Sequence, residues 1–229
     1  MRRETPRAAR LVLRPADWTG HGAGQHVDVR LTAPDGYTAQ RSYSIASPPQ
    51  AADVELVVER LPDGEVSPYL TDEVRAGDVL ELRGPVGGYF VWPQAPETPE
   101  VPVQLVAGGS GVVPFLAMLG HHAATGASVP VRLLYSARDA ADVIGRAELE
   151  NSSAGVTLTY TRAAPPGWTG PTGRVDDALL DACTVPPGEN PHVLVCGPTG
   201  FVEAATRALT GLGHDPARIR TERFGGMGA

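Results

Sequence analysis

The chain has 229 residues, 42% hydrophobic and 20% charged, with a net charge of −7, enough to bury a real core in one large domain or two small ones. The acidic balance argues against a nucleic-acid binder, which needs a basic surface. Two cysteines without a C-x-x-C pair argue against an iron–sulfur cluster and a disulfide framework, and no apolar run approaches the roughly 18 residues that span a bilayer.

Before about residue 92, short β-like runs dominate: Arg10–Arg14, Gln25–Leu31, Ala39–Ala46, Val54–Leu61 and Asp78–Leu82. Turn signals such as Asp35-Gly36 and Asp63-Gly64 separate them. Short strands at this spacing predict an antiparallel β-barrel or sandwich, with one short helix at Ser67–Val74. Arg2, Arg3, Arg7 and Arg10 crowd the first ten residues. They fit a solvated tail, an edge strand or a docking patch for an acidic partner. No apolar stretch follows them, so no secretory signal is expected, and the expected location is cytoplasmic.

Pro93, Pro96, Pro99 and Pro102 then fall within ten residues and disfavour both helix and central strand. They mark a linker and divide the chain into units 1–96 and 97–229. Beyond it the pattern alternates. Strands are predicted at Val103–Ala107, Val129–Ser136, Val156–Arg162, His192–Cys196 and Arg218–Phe224, and helices at Val112–Ala124, Ala141–Asn151, Val175–Ala182 and Gly200–Gly211. Alternation of this kind implies an α/β doubly wound parallel sheet, with ligands at the carboxyl ends of its strands.

Those strand ends carry the chemistry. The first ends in Gly108-Gly109-Ser110-Gly111, immediately before a predicted helix. Glycines let the backbone turn sharply and approach a ligand, and a helix start offers free N–H groups to a phosphate. The others end in Ser136-Ala137-Arg138, in Thr161-Arg162 and in Cys196-Gly197-Pro198. Small residues make room for a ligand, and arginine supplies a bidentate phosphate clamp. In the first half, Arg41 and Tyr43 share one strand face and Ser44 points to the other. An arginine beside an aromatic suits a ligand with a phosphate and a flat ring, although plain cross-strand packing fits as well. Gly64–Ser67 leads into the short helix, either as a second anion site or with Ser67 as an N-cap. The histidines show no metal-ligand spacing, so no metal is expected, and His121-His122 are expected to be solvated. Cys196 fits a site or a small buried apolar residue; Cys183 fits the latter.

The ordered set R-S-Y-S, V-V-E-R, G-E-V-S, G-P-V-G, G-G-S-G-V-V-P, C-G-P and E-R-F resembles the ferredoxin–NADP(+) reductase family of flavoproteins from about residue 10 to residue 224. The resemblance implies a FAD-binding barrel followed by a nicotinamide-nucleotide domain. In that frame Arg41 pairs with the flavin diphosphate and Tyr43 stacks on the isoalloxazine, while Ser44 bonds near its redox-active nitrogen. Val57, Val58, Glu59 and Arg60 line the flavin through backbone contacts. Gly64, Glu65, Val66 and Ser67 hold the diphosphate, which favours FAD over FMN. Gly108, Gly109, Ser110 and Gly111 contact the nicotinamide nucleotide's pyrophosphate. Ser136 and Arg138 match the grip on an adenosine 2′-phosphate and suggest NADP, with NAD possible. Arg162 and Arg174 are further clamps. Cys196 and Gly197 border the nicotinamide, and Glu222 is a candidate proton relay. Glu222-Arg223-Phe224 matches the family's acid-x-aromatic end. Gly225–Ala229 continues past it, as in bacterial members whose extra residues cover the adenine side, so the role of Phe224 stays open.

The expected activity is hydride transfer from NAD(P)H to FAD, with Ser44, Cys196 and Glu222 as the catalytic set. No fused ferredoxin domain follows Phe224, so the expected acceptor is a separate protein: a ferredoxin, a haem protein or a molybdenum enzyme. Two alternatives are a reductase of free flavin and a non-catalytic nucleotide-binding module.

Overall fold

A computed structural model describes residues 1–92 and 101–225. Pro93, Pro96 and Pro99 of the linker and the 96/97 boundary fall within 93–100, and most of the C-terminal tail is residues 226–229; both stretches lie outside the described residues, whereas Pro102 is described and buried.

The first half holds six strands: β1 (Arg2–Thr5), β2 (Ala8–Leu13), β3 (His26–Thr32), β4 (Thr38–Ser44), β5 (Val54–Glu59) and β6 (Glu81–Val86). They form two antiparallel sheets, β1-β2-β5 and β4-β3-β6, linked by an Ile45–Leu56 bridge. Alternation sets their inner faces: Val27 and Val29 of β3, Leu11 of β2, and Leu56 and Val58 of β5 meet Ile45, Val66 and Leu70 in one core. Of the N-terminal arginines, Arg2 and Arg3 lie on the edge strand β1, Arg7 in the turn after it and Arg10 on the central strand β2. Arg2 lies 3.2 Å from Glu4, Arg3 3.8 Å from Asp72, and Arg7 pairs with Asp142. The last barrel strand runs over Glu81–Val86, later than the Asp78–Leu82 expectation, because an edge position paired only with β3 tolerates Pro85. The short helix is a single wide turn, Tyr69–Glu73. No side chain caps it, and Ser67 Oγ accepts from the Leu61 N–H at 3.0 Å instead.

The second half is a parallel sheet of β7 (Val103–Gly108), β8 (Val131–Asp139), β9 (Gly155–Ala163), β10 (His192–Pro198) and β11 (Ile219–Phe224), ordered β11-β10-β7-β8-β9. β7 is buried along its whole length, as a central strand covered on both faces must be. The strand order reverses between β7 and β10, so the crevice at a topological switch point opens beside Gly108 and Cys196. Helices α1 (Val113–Thr125), α2 (Arg146–Glu150), α3 (Asp177–Cys183) and α4 (Thr199–Gly211) cover the faces. The expected helix at Ala141–Asn151 is broken. Gly145 sits at φ +69°, where a Cβ would lie 2.5 Å from Leu116, and it separates a 3-10 turn at Ala140–Asp142 from α2. His122 is not solvated: it is buried, with Nε2 2.9 Å from the Val129 carbonyl, and its ring lies 5.6 Å from that of Trp92. Among the described residues no helix is long and apolar enough to cross a membrane.

One core joins the halves. Ala23, Ala46, Val57 and Phe90 of the first pack with Phe115, Met118, Leu105 and Tyr135 of the second. Buried Arg10 adds a polar joint. Its guanidinium lies 3.1 Å from Glu4, 2.7 Å from Glu55 and 2.6 Å from Glu148 of α2, while Glu4 also accepts the Gly145 N–H at 3.0 Å. Burial acts to raise the Glu4 pKa, but Arg10 and that N–H hold it below the ordinary carboxylate value.

Candidate active site

Two clefts meet where the barrel faces the carboxyl ends of the sheet. The larger, of about 350 Å³, is lined by Arg41, Tyr43 and Ser44 of β4, by Val57 and Glu59 of β5, by Gly64–Ser67, and by Val113 and Phe224. The smaller, of about 180 Å³, is lined by Gly108, Gly109, Ser110, Ser136, Arg138 and Thr161 of the sheet and by Arg7 from the barrel. Glu59, Ser110, Arg138 and Pro198 line both. The clefts therefore share one wall.

In the larger cleft Arg41 Nη2 lies 3.1 Å from Glu65 Oε2, and the Tyr37 hydroxyl donates to the other Glu65 oxygen at 2.6 Å. Tyr43 is half-buried, and burial pushes its phenol up to about 12. Val58 points into the barrel core, as strand alternation requires, and Arg60 turns away to Asp72 at 2.7 Å. Of the Val57–Arg60 run, Val57 and Glu59 face the cleft.

Beside Ser44, three polar groups converge from both halves. Cys196 and Glu222 are register partners on parallel β10 and β11, and His26 and Ser44 are register partners on antiparallel β3 and β4. Cys196 Sγ lies 3.7 Å from Glu222 Oε2, and His26 Nδ1 lies 3.9 Å from Glu222 Oε1. Burial raises the Glu222 pKa to about 7, against the lowering effect of hydrogen bonds from Cys196 and Ser44. Burial likewise pushes the Cys196 thiol well up, with the Glu222 charge adding to it. His26 carries no motif of its own; only its strand pairing with Ser44 brings it here.

The glycine loop is shaped by close approach. A Cβ on Gly111 would lie 2.1 Å from the Cys196 carbonyl oxygen, and one on Gly108 would lie 2.8 Å from the Phe201 ring. The turn Gly109–Val112 runs straight into α1: the Val113 N–H donates to the Ser110 carbonyl and Pro114 has no N–H, so the uncapped N–H groups open to an anion are those of the turn itself. In the smaller cleft Arg138 Nη1 lies 3.9 Å from Glu59 Oε1. Arg162 and Arg174 are exposed and line neither cleft. Thr161, one residue earlier on the edge strand β9, faces it instead.

An aromatic wall, a guanidinium, and a glycine turn at a switch point form a site for a flat-ringed dinucleotide beside a second nucleotide. Residues 6–91 match the oxidoreductase FAD-binding domain, and residues 105–207 match the oxidoreductase NAD-binding domain. The glycine betaine monooxygenase reductase subunit of Chromohalobacter salexigens is 32% identical over 88% of this chain and 55% of its own length. NADH-cytochrome b5 reductase 1 of Emericella nidulans is 31% identical over 90% of this chain and 68% of its own length. The chain thus spans about half the length of the betaine monooxygenase reductase subunits it matches. Among solved structures, the FAD/NAD-binding domain of a Vibrio cholerae nitric oxide dioxygenase superposes with a TM-score of 0.84 at 26% identity, covering 98% of this chain and 95% of that one. A Neisseria gonorrhoeae ferredoxin–NADP(+) reductase with bound FAD and NADP shares the fold at a TM-score of 0.79 and 22% identity, over 97% and 94% of the two chains. The chain belongs to the ferredoxin–NADP(+) reductase family of FAD-dependent oxidoreductases. Its first half is a FAD-binding domain and its second a nicotinamide-nucleotide-binding domain.

Proposed function

We propose that this chain takes electrons from NAD(P)H onto FAD and passes them to a separate redox protein, with residues 1–96 and 97–229 as its two working units. The observation that carries the reading is the wall common to both clefts, with Ser44 of the larger cleft backed by Glu222 and its partner Cys196, which line neither cleft themselves. The larger cleft fits the flavin: it joins an aromatic face at Tyr43 to a diphosphate-binding guanidinium at Arg41.

When bound, FAD supplies the uptake of two electrons from reduced nicotinamide and their release one at a time. Every other task falls to the chain. Arg41 and the Gly64–Ser67 turn bind the diphosphate. Tyr43 and Phe224 flank the ring system and exclude water, and the Ser44 hydroxyl orients its reactive edge. Gly108–Ser110 and the turn into α1 hold the nicotinamide nucleotide's phosphates, with Ser136 and Arg138 at its adenosine end. Cys196, protonated and buried, fills the space next to the nicotinamide without adding charge. Glu222, whose pKa near 7 leaves it partly protonated at physiological pH, accepts a hydrogen bond from the Ser44 hydroxyl and holds an exchangeable proton beside the site. Residues that hold two reactants in a productive orientation would contribute several kcal/mol to such a step.

The names of the relatives support a protein acceptor: one is a monooxygenase's reductase subunit and another a cytochrome b5 reductase. A ferredoxin, a haem protein and a molybdenum enzyme are the acceptor classes to test. The deciding experiment is anaerobic titration of the FAD-loaded protein with NADPH and then NADH, followed by absorbance. Bleaching of the flavin band is expected; protein that takes up no FAD, or FAD that neither nucleotide bleaches, overturns the reading. The Arg41–Glu65 pair favours a second reading, in which flavin is a dissociable substrate, because a carboxylate already holds the guanidinium the diphosphate needs. Equilibrium dialysis separates the two: a resident FAD stays with the protein and a substrate flavin washes out.

A further inference from the structure

The shared wall holds an acid in an unexpected place. Glu59 ends β5 in the barrel, yet its side chain lines the nucleotide cleft of the other half as well as the flavin cleft. Its Oε1 lies 3.9 Å from Nη1 of Arg138 at the end of β8. The other cation on the nucleotide cleft, Arg7, is paired with Asp142. The charged side chains lining that cleft are thus two guanidinium groups and two carboxylates, and their formal charges cancel. Asp142 is hydrogen-bonded to Arg7, whereas the Glu59–Arg138 contact is beyond hydrogen-bond length and its cation half-exposed. Arg138 is therefore the guanidinium an incoming phosphate can recruit, and Glu59 is the carboxylate it must displace.

We propose that Glu59 is a specificity-determining residue that sets the balance between 2′-phosphorylated and unphosphorylated adenine nucleotides by competing for Arg138. This deepens the reading of the smaller cleft as the nicotinamide-nucleotide site and rests on it. A phosphate monoester carries close to two negative charges at neutral pH. Its bidentate bond to Arg138 forms at the loss of the Glu59 contact and beside a like charge that stays in the same wall. A nucleotide without that phosphate leaves the Glu59–Arg138 pair intact. The barrel, through one residue of β5, thereby filters a ligand held mainly by the α/β half.

The test uses the FAD-loaded protein and two ligands that differ only in the phosphate in question, 2′,5′-ADP and 5′-AMP. Their dissociation constants are measured by calorimetry for the unmodified chain, Glu59→Gln, Arg138→Ala and the double variant. Glu59→Gln is expected to tighten 2′,5′-ADP about 5- to 10-fold and to change 5′-AMP less than about twofold. The gain is expected to vanish in the Arg138→Ala background. Equal tightening of both ligands, or a gain that survives without Arg138, overturns the role of Glu59. Failure of the unmodified chain and of Glu59→Gln to bind either ligand overturns the reading of the cleft instead. Bound flavin absorbance in each variant distinguishes a binding change from a folding failure.

Discussion

Cys196 and Glu222 occupy facing positions on β10 and β11, with the thiol 3.7 Å from a carboxylate oxygen, and Glu222 in turn stands against Ser44 of the barrel. A carboxyl pushed from 4.5 to about 7 binds its proton more tightly folded than unfolded. Its contribution is therefore undiminished below pH 4.5 and is lost as pH rises toward 7, by at most about 3 kcal/mol. Glu222→Gln is expected to remove that fall: the difference in urea stability between variant and parent grows in favour of the variant from pH 5 to pH 8. A constant difference across that range contradicts the assignment.

Arg41 and Glu65 predict opposite outcomes from neighbouring substitutions. On the proposed role of Arg41 at the diphosphate, Arg41→Ala is expected to weaken FAD retention about 10-fold or more. Stability stays within about 0.5 kcal/mol, because the side chain is largely exposed. Glu65→Gln frees the same guanidinium and is expected to tighten FAD a few-fold. Fluorescence-detected dialysis of FAD measures both.

Arg10 is a stability residue. Arg10→Ala leaves Glu4, Glu55 and Glu148 facing one another with their shared cation gone, a loss of about 3–5 kcal/mol in urea denaturation. Glu4, held below its ordinary pKa, contributes stability above that ordinary value and loses it as pH falls through the lowered one. The parent's acid-side loss of stability is expected to shrink in Arg10→Ala.

Two glycines separated only by Ser110 make a paired test. Gly109 has φ +55° and open space around its missing Cβ, so Gly109→Ala is expected to cost about 1–2 kcal/mol. Gly111→Ala drives a methyl into the Cys196 carbonyl at 2.1 Å and is expected to cost several times more or to prevent folding. Thermal denaturation of both variants ranks them.

The ends of the sheet's strands were legible in the sequence because small residues and arginines cluster where strands stop. What the sequence does not carry is direction and partnership. Arg162 and Thr161 are adjacent on β9, and only the sheet's geometry turns the threonine inward. The helix expected over Ala141–Asn151 fails at Gly145, whose N–H is taken by Glu4 from the distant β1. Ser67 looks like a helix cap but closes the turn back to Leu61. His26 reaches Glu222 only through the register that pairs it with Ser44. Each is a tertiary effect that local propensity cannot encode.

The partition made of Glu59, Ser110, Arg138 and Pro198 belongs to two cavities at once. Any coupling between molecules lodged on its two sides is reciprocal. Whatever factor the first guest imposes on the second's affinity, the second imposes in return, so loading order alters the rates of assembly and leaves the final occupancy untouched.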